Sequence, residues 1–313
     1  MLSEVASPRP DHSKATSDDC VPPSSASYQS AVFRNIKLVY YNAFALVYTC
    51  VGYFADVAIV NSSWTEGHVR QLWCLNSKIL KIFPPCNTAA LADISLRSER
   101  DRSILSLGQF RPEKDHHLQI AAFRKLQFFH RAKYADVKLV MIGSTRSEAD
   151  KQFLSGLFEF ARSYTHEGVV HEFEEKLVET SRWSRSIGNI DFLINSDYTE
   201  VVRQLSRASV GLHTMWNEHF GISVVEMMAA GLIVVAHNSG GPKMDILSSY
   251  TECAPGYLAE TAEEYALCMQ RVLDSDQEEL MELREAARSA AERFSDAVFC
   301  KDMINVLREY LYH

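Results

Sequence analysis

The sequence predicts an α/β fold built on a doubly wound parallel sheet, and three observations carry that reading. From Ile104 onward, apolar runs of four to six residues alternate with longer stretches whose apolar residues recur at helical spacing. Glycine, proline and short polar residues stand at the junctions of those runs. The composition, 47% hydrophobic against 23% charged over 313 residues, is that of a globular chain able to bury a large core.

In chain order, residues 1–30 hold eight Ser, four Pro and a single aromatic, Tyr28, with no apolar run that would serve as a signal peptide; they read as a disordered tail, with order beginning near Ala31. Leu38 to Phe54 runs seventeen residues without a charge, at the lower edge of a bilayer span. Asn42, Thr49, Gly52 and four tyrosines favour a helix buried in protein or lying among lipid headgroups over a spanning one. Val57–Val60 and Ile79–Phe83 flank a helical stretch from about Thr65 to Leu75, a β-α-β unit ending at Pro84-Pro85. Asn87 to Arg102, with Asp93, Arg97, Glu99, Arg100 and Asp101, reads as a polar linker.

Beyond it, strands are expected at Ile104–Leu107, Val137–Ile142, Asp191–Ile194, Val210–His213 and Leu232–Ala236. Helices are expected from Pro112 and Asp115 through Phe129, at about Glu148–Tyr164, at Tyr198–Arg207, and at Ile222–Ala230 with Gly231 as its C-terminal cap. A charged excursion through Glu172, Glu174, Glu175 and Lys176 precedes the third strand, and helices near Ala262–Leu273, Gln277–Arg293 and Asp296–Leu311 finish the chain. The domain organisation expected is a tail at 1–30, an N-terminal remnant at 31–86, a linker at 87–102, a ligand-binding α/β domain at 103–293 and a C-terminal helix at 294–313.

Acidic residues exceed basic ones by eight, so no overall field exists to hold a nucleic-acid backbone, and any phosphate site must be local. The seven cysteines are scattered without a C-x-x-C pair, which argues for reduced thiols and against a zinc ribbon. All thirteen glycines lie at or beyond Gly52, which removes an N-terminal dinucleotide fingerprint or P-loop.

In a parallel sheet the chemistry belongs to the loops at the carboxyl ends of strands. Gly108 to Asp115 puts Arg111 and Lys114 on the turn leaving the first of these strands, where two cations can clamp an anion. In Glu218-His219-Phe220-Gly221-Ile222-Ser223-Val224-Val225-Glu226, the N–H groups of the first helical turn at Phe220 to Ile222 offer an anion site, and Glu226, about one turn on, can accept from paired hydroxyls. Asn238-Ser239-Gly240-Gly241-Pro242 reads as a loop whose glycines let main chain approach a ligand. His213 and His219 read as structural histidines, Asp274-Ser275-Asp276 as helix caps and Asn61 as a strand end.

These blocks resemble the donor domain of retaining GT-B glycosyltransferases. The wording QFRPEKDH, NEHFGISVVEMMAAGLIVVAHNSGGPKMDI and VNSSW is similar to the GDP-mannose-dependent α-1,2-mannosyltransferases of dolichol-linked oligosaccharide assembly, over roughly residues 31–313. The resemblance implies a GT-B type Rossmann-like donor domain with an incomplete N-terminal acceptor domain. It implies that Glu218 contacts the donor hexose as the catalytic carboxylate, that Glu226 holds the nucleotide ribose and that Lys114 binds the diphosphate. Where many members carry Arg directly after the first glycine, this chain has Gln109, and Arg111 shares the diphosphate instead. Phe220, Gly221 and Ile222 complete the donor-binding set, and no metal or cofactor is implied.

The function so implied is transfer of mannose from GDP-mannose, in α-1,2 linkage and with retention, to a dolichol-diphosphate-linked oligosaccharide of the N-glycan precursor pathway. The implied place is the cytosolic face of the endoplasmic reticulum membrane. The chain is expected to hold only the last seventy or so residues of an acceptor domain. The alternative is therefore an impaired isoform or donor-domain remnant that binds sugar nucleotide or a partner without turnover. A nicotinamide-dependent oxidoreductase is disfavoured because no G-x-G-x-x-G follows a strand.

Overall fold

A computed structural model describes residues 25–73, 78–164, 175–179, 182–247 and 254–311. Residues 1–24 of the expected tail, with Glu172 and Glu174, lie outside them. The chain divides into two compact units, Met1–Phe54 and Ala55–His313.

The first unit carries one helix, α1 (Ser25–Tyr53). It starts six residues before the expected Ala31, because no proline or glycine after Pro23 interrupts it before Gly52. Asn42 Nδ2 donates to the Leu38 carbonyl at 2.8 Å and Thr49 Oγ1 to that of Ala45 at 2.9 Å, so both polar side chains are satisfied on the helix itself. Phe33, Val39, Tyr40, Phe44 and Val51 are exposed, which departs from the buried form of the expectation. Among the described residues, no helix is long and apolar enough to cross a membrane.

The second unit opens with a small parallel pair, β1 (Ala58–Val60) and β2 (Ile79–Lys81), joined through α2 (Ser63–Leu72). Ser62 caps α2 by accepting from the Thr65 N–H, as a serine before a helix is suited to do. The stretch expected as a linker holds α3 (Thr88–Ala92), which buries Thr88 and Leu91. It is also pinned by Arg100, whose guanidinium donates to the carbonyls of Leu205, Ala208 and Ala230 at 2.6–3.0 Å. A polar segment can thus be fixed in place when its charge satisfies carbonyls orphaned at helix ends.

The main sheet follows from β3 (Asp101–Leu107), β4 (Lys138–Gly143), β5 (Glu175–Glu179), β6 (Arg182–Ile187), β7 (Ile190–Ile194), β8 (Ala208–His213), β9 (Ile233–His237) and β10 (Gly256–Ala259). Among the described residues its order is β10-β9-β8-β3-β4-β7-β6-β5, parallel from β10 to β7 and antiparallel in β7-β6-β5. The β5–β6 hairpin stands where only a charged excursion was expected, and β10 was not foreseen.

Helices α4 (His116–Phe129), α5 (Glu148–Ser163) and α8 (Ala262–Asp274) supply one apolar layer, with Ile104, Leu139, Phe192 and Val210 from the sheet. Helices α6 (Tyr198–Arg207), α7 (Ile222–Ala229) and α9 (Gln277–Glu292) supply the other, with Leu105, Val140 and Val234. Neighbouring residues Ile104 and Leu105 face opposite layers, as the two-residue period of a strand requires, and both are fully buried. The sheet is therefore doubly wound, as the sequence predicts. A last helix, α10 (Asp296–Leu311), ends the described chain.

The strand order reverses between β3 and β8: the chain runs outward through β4 and β7, then returns to lay β8 on the other side of β3. The carboxyl ends of the two strands at that switch point are the usual ligand position in such sheets.

Candidate active site

The turn after β3 and the loop after β8 both emerge at the switch point, and each bends through a left-handed residue beside its charged one. Pro112–Lys114 forms a short 3-10 turn that ends at Asp115, φ 49°, whose side chain caps α4 by accepting from the Leu118 N–H. Asn217 has φ 51°, a conformation asparagine tolerates, and its N–H donates to Ser239 Oγ at 2.8 Å. Gly221, φ 108°, then starts α7 without a side-chain cap. The Val224 N–H closes on the Gly221 carbonyl at 3.0 Å, which leaves the N–H groups of Ile222 and Ser223 for an anion.

The two loops are tied to each other. Thr214 Oγ1 donates to the Lys114 carbonyl at 2.7 Å, and Gln119 Nε2 of α4 donates to Thr214 Oγ1 at 3.0 Å. At their centre Lys114 Nζ meets Glu218 Oε2 at 2.6 Å, with both side chains mostly shielded from solvent. Glu218 Oε1 accepts from the His219 N–H at 3.1 Å, and His213 Nε2 lies 3.3 Å from Oε2. Burial acts to raise the Glu218 pKa, but His213 and Lys114 outweigh it and bring the carboxyl down to about 2. It is a carboxylate at any physiological pH.

A Cβ on Gly221 would lie 3.5 Å from Glu218 Cγ, so the open end of α7 adjoins the same carboxylate. Glu226, one turn further along α7, has its pKa raised by burial, and among the described residues no hydrogen bond or ion pair engages it. The two carboxylates of the motif thus differ: Glu218 holds a donor on each oxygen, whereas no donor is bound to the carboxylate of Glu226 among the described residues.

The other expected residues fall as follows. Arg111 is paired away from Lys114, its Nε 3.4 Å from Asp150 Oδ1 at the start of α5. The Phe220 ring is buried against Phe83 and Phe294, which leaves only its backbone for a ligand. Ile222 is exposed. Gly240 and Gly241 approach protein rather than ligand: a Cβ on Gly240 would collide with the Glu218 carbonyl, and one on Gly241 with Phe220. The Gly241 N–H donates to the Glu218 carbonyl at 2.7 Å, so this loop is the support on which residues 217–221 rest.

Asp276 caps α9 as expected, whereas Asp274 ends α8 and pairs with Lys133 and Tyr134 instead of capping. Among the described residues no group of three His, Cys, Asp or Glu is arranged to hold a metal ion.

Sequence reasoning treated His213 as structural, although its place at the end of β8, beside the switch point, was the signal that could have marked it. It also missed contacts from the β1-α2-β2 layer. The Ser63 backbone N–H and Oγ donate to Asp245 at 2.8 and 2.6 Å, and Lys81 Nζ stands 3.3 Å from the same carboxylate. Trp64 stacks on His219 at 4.6 Å. Nothing local announces a contact across 182 positions.

The sequence pattern of the family described as Glycosyl transferases group 1 matches residues 88–293, the span that holds the whole switch-point site. The chain belongs to that family. Residues 1–73 match a second pattern, described as ALG11 mannosyltransferase N-terminus.

This group 1 glycosyl transferase is 40% identical over 272 residues to the GDP-Man:Man(3)GlcNAc(2)-PP-Dol alpha-1,2-mannosyltransferase of Xenopus tropicalis, covering 86% of this chain and 51% of that one. It is 40% identical over 268 residues to the Homo sapiens protein of the same name, covering 84% and 50%. The chain spans about half the length of these relatives.

Among solved structures it is similar to a glycosyltransferase from Rickettsia africae, with TM-score 0.67 and 18% identity over 86% of this chain and 67% of the other. Sucrose-phosphate synthase from Thermosynechococcus elongatus gives TM-score 0.64 and 20% identity over 87% and 62%. The fold is that of GT-B glycosyltransferases, as the sequence motifs imply.

Proposed function

We propose that this group 1 glycosyl transferase binds GDP-mannose and transfers mannose, in α-1,2 linkage and with retention, to a dolichol-diphosphate-linked oligosaccharide of the N-glycan precursor pathway. The observation that carries the reading is the meeting of Lys114 and Glu218 at 2.6 Å, across the switch point and beside the uncapped start of α7. A cation and open N–H groups suit a diphosphate, a carboxylate suits hexose hydroxyls, and the unpaired Glu226 suits a ribose diol.

In the reaction the bond from the anomeric carbon to the β-phosphate oxygen breaks, a new bond to an acceptor hydroxyl oxygen forms on the same face, and the proton of that hydroxyl goes to the departing phosphate oxygen. The nucleoside diphosphate leaves with the bonding electrons, and Lys114 and the α7 terminus stabilise the charge that develops there. Arg111 adds its cation if it parts from Asp150. The names of the relatives support GDP-mannose as donor and a dolichol-linked glycan as acceptor. The exposed apolar side chains of α1 support work at the cytosolic surface of the endoplasmic reticulum membrane.

The test is calorimetric titration of the purified chain with GDP, UDP, GDP-mannose and guanosine, followed by a transfer assay on a dolichyl-diphosphate oligosaccharide. GDP and GDP-mannose should bind more tightly than UDP. Lys114→Ala should weaken both guanine nucleotides alike while sparing guanosine, and Glu218→Ala should abolish transfer. Equal losses for GDP and guanosine in Lys114→Ala would remove the diphosphate role.

A further inference from the structure

Both carboxylate oxygens of Glu218 already hold a donor before any ligand arrives. Its Oε2 accepts from Lys114 at 2.6 Å and its Oε1 from the His219 N–H at 3.1 Å. Each oxygen keeps a further lone pair, but the short ion pair holds the carboxylate on Lys114, and Lys114 is the partner with a stronger alternative. The other contact of Lys114 Nζ is the thioether of Met215 at 3.2 Å, a weak acceptor. A diphosphate presents more charge and more acceptor oxygens than one carboxylate, and one ammonium cannot serve both at full strength.

A second observation points to the same rearrangement. His213 is only 3% exposed, its Nδ1 has no hydrogen-bond partner among the described residues, and its Nε2 stands 3.3 Å from Glu218 Oε2, a long contact beside the 2.6 Å one to Lys114. A small shift of the carboxylate away from Lys114 would shorten the contact to His213.

We propose that the Lys114–Glu218 pair is a built-in competitor of the donor diphosphate, whose exchange frees Glu218 for the hexose while His213 acts as the positioning residue that retains the carboxylate. The inference rests on the donor-binding reading above and adds an order to it: diphosphate capture by Lys114 switches on sugar recognition by Glu218.

The experiment is titration of the full chain with GDP and with GDP-mannose, in wild type, Glu218→Gln, Lys114→Gln and the double variant. Glu218→Gln should bind GDP about 5- to 10-fold more tightly, because Lys114 no longer has a rival acceptor, and should lose most of the extra affinity that mannose confers. In the Lys114→Gln background the same change should leave GDP affinity where it is. His213→Leu should shrink the mannose increment, and His213→Gln, which keeps a donor, should restore it.

Unchanged or weaker GDP binding by a folded Glu218→Gln protein overturns the exchange. A gain that persists in the double variant also does so, since removal of a nearby negative charge then accounts for it. A His213→Leu protein with its mannose increment intact removes the positioning role. Wild-type protein that binds neither GDP nor UDP overturns the proposed function and this inference with it, whereas wild-type binding without the Glu218→Gln gain sinks the inference alone.

Discussion

Glu226 shows how a ligand residue can oppose the stability of the protein that holds it. Burial raises its pKa, so folding disfavours the ionised form, and among the described residues no side chain compensates. The penalty is absent at acid pH, where the group is protonated in both folded and unfolded states. It grows as pH rises above the unfolded value and is complete above the raised folded one. Glu226→Gln should therefore raise the melting temperature of the ligand-free chain at neutral pH while leaving it little changed near pH 4. The same variant should weaken GDP binding by about 1–3 kcal/mol, because the ribose diol loses a charged acceptor. Thermal melts with and without GDP test both halves, and a lower ligand-free melting temperature at neutral pH would contradict the assignment. Glu218 has the opposite balance: its partners hold its pKa at about 2, so its contribution to stability is complete above the unfolded value and is lost progressively as pH falls from there through the folded one.

At the scale of elements, the site depends on the loop after β9 as much as on its own motif. Gly240, φ 59°, and Gly241 press against the backbone of residues 218–220, and neither leaves space for a methyl group. Gly240→Ala should cost roughly 1–3 kcal/mol in stability through the left-handed strain and the clash. It should also weaken GDP-mannose binding, because the displaced segment carries Glu218. Chemical denaturation and titration of the same preparation would show the two losses together; a destabilised protein with unchanged donor affinity would separate the loop from the site. These glycines mark what sequence alone leaves open. Their presence was legible, but whether the close neighbour was ligand or protein was not, because that neighbour lies some twenty residues back across the sheet. The β/α alternation was legible because β3, β4, β7, β8 and β9 are largely apolar runs and α4, α5, α6, α8 and α9 are capped by Asp115, Ser147, Asp197, Thr261 and Asp276. The β5–β6 hairpin was hidden by charges, Glu175, Lys176, Arg182 and Arg185, which an edge pair accommodates. β10 was hidden by being four residues long and beginning at glycine.

On the scale of the whole second unit, the β1-α2-β2 layer is fastened to the main sheet by few polar contacts, with Asp245 at their centre. That carboxylate is 3% exposed and holds both the Ser63 backbone N–H and its hydroxyl, with Lys81 alongside. Its own carbonyl accepts from Arg293 beyond α9. Asp245→Asn keeps the shape but leaves Lys81 without its counter-charge and one Ser63 donor poorly matched, at a cost of about 2–4 kcal/mol. The loss should be local: amide exchange should accelerate in residues 58–81 far more than in β3, β4 or β8. Uniform acceleration across both regions would show that the layer and the sheet unfold as one.

The stacking of Trp64 on His219, 4.6 Å between ring centres with the planes nearly parallel at 18°, has an optical consequence. An indole in contact with one imidazole, and met edge-on by His68 at 4.1 Å, is expected to emit weakly, since histidine rings quench tryptophan fluorescence. His219 directly follows Glu218, so any ligand that moves that carboxylate should disturb the stack and change the light that Trp64 returns. Addition of GDP-mannose should then brighten or shift emission in the wild type, and the response should be much smaller in Trp64→Phe. The protein would thereby carry its own unlabelled signal of donor arrival, fast enough for stopped-flow recording of binding before any sugar is transferred.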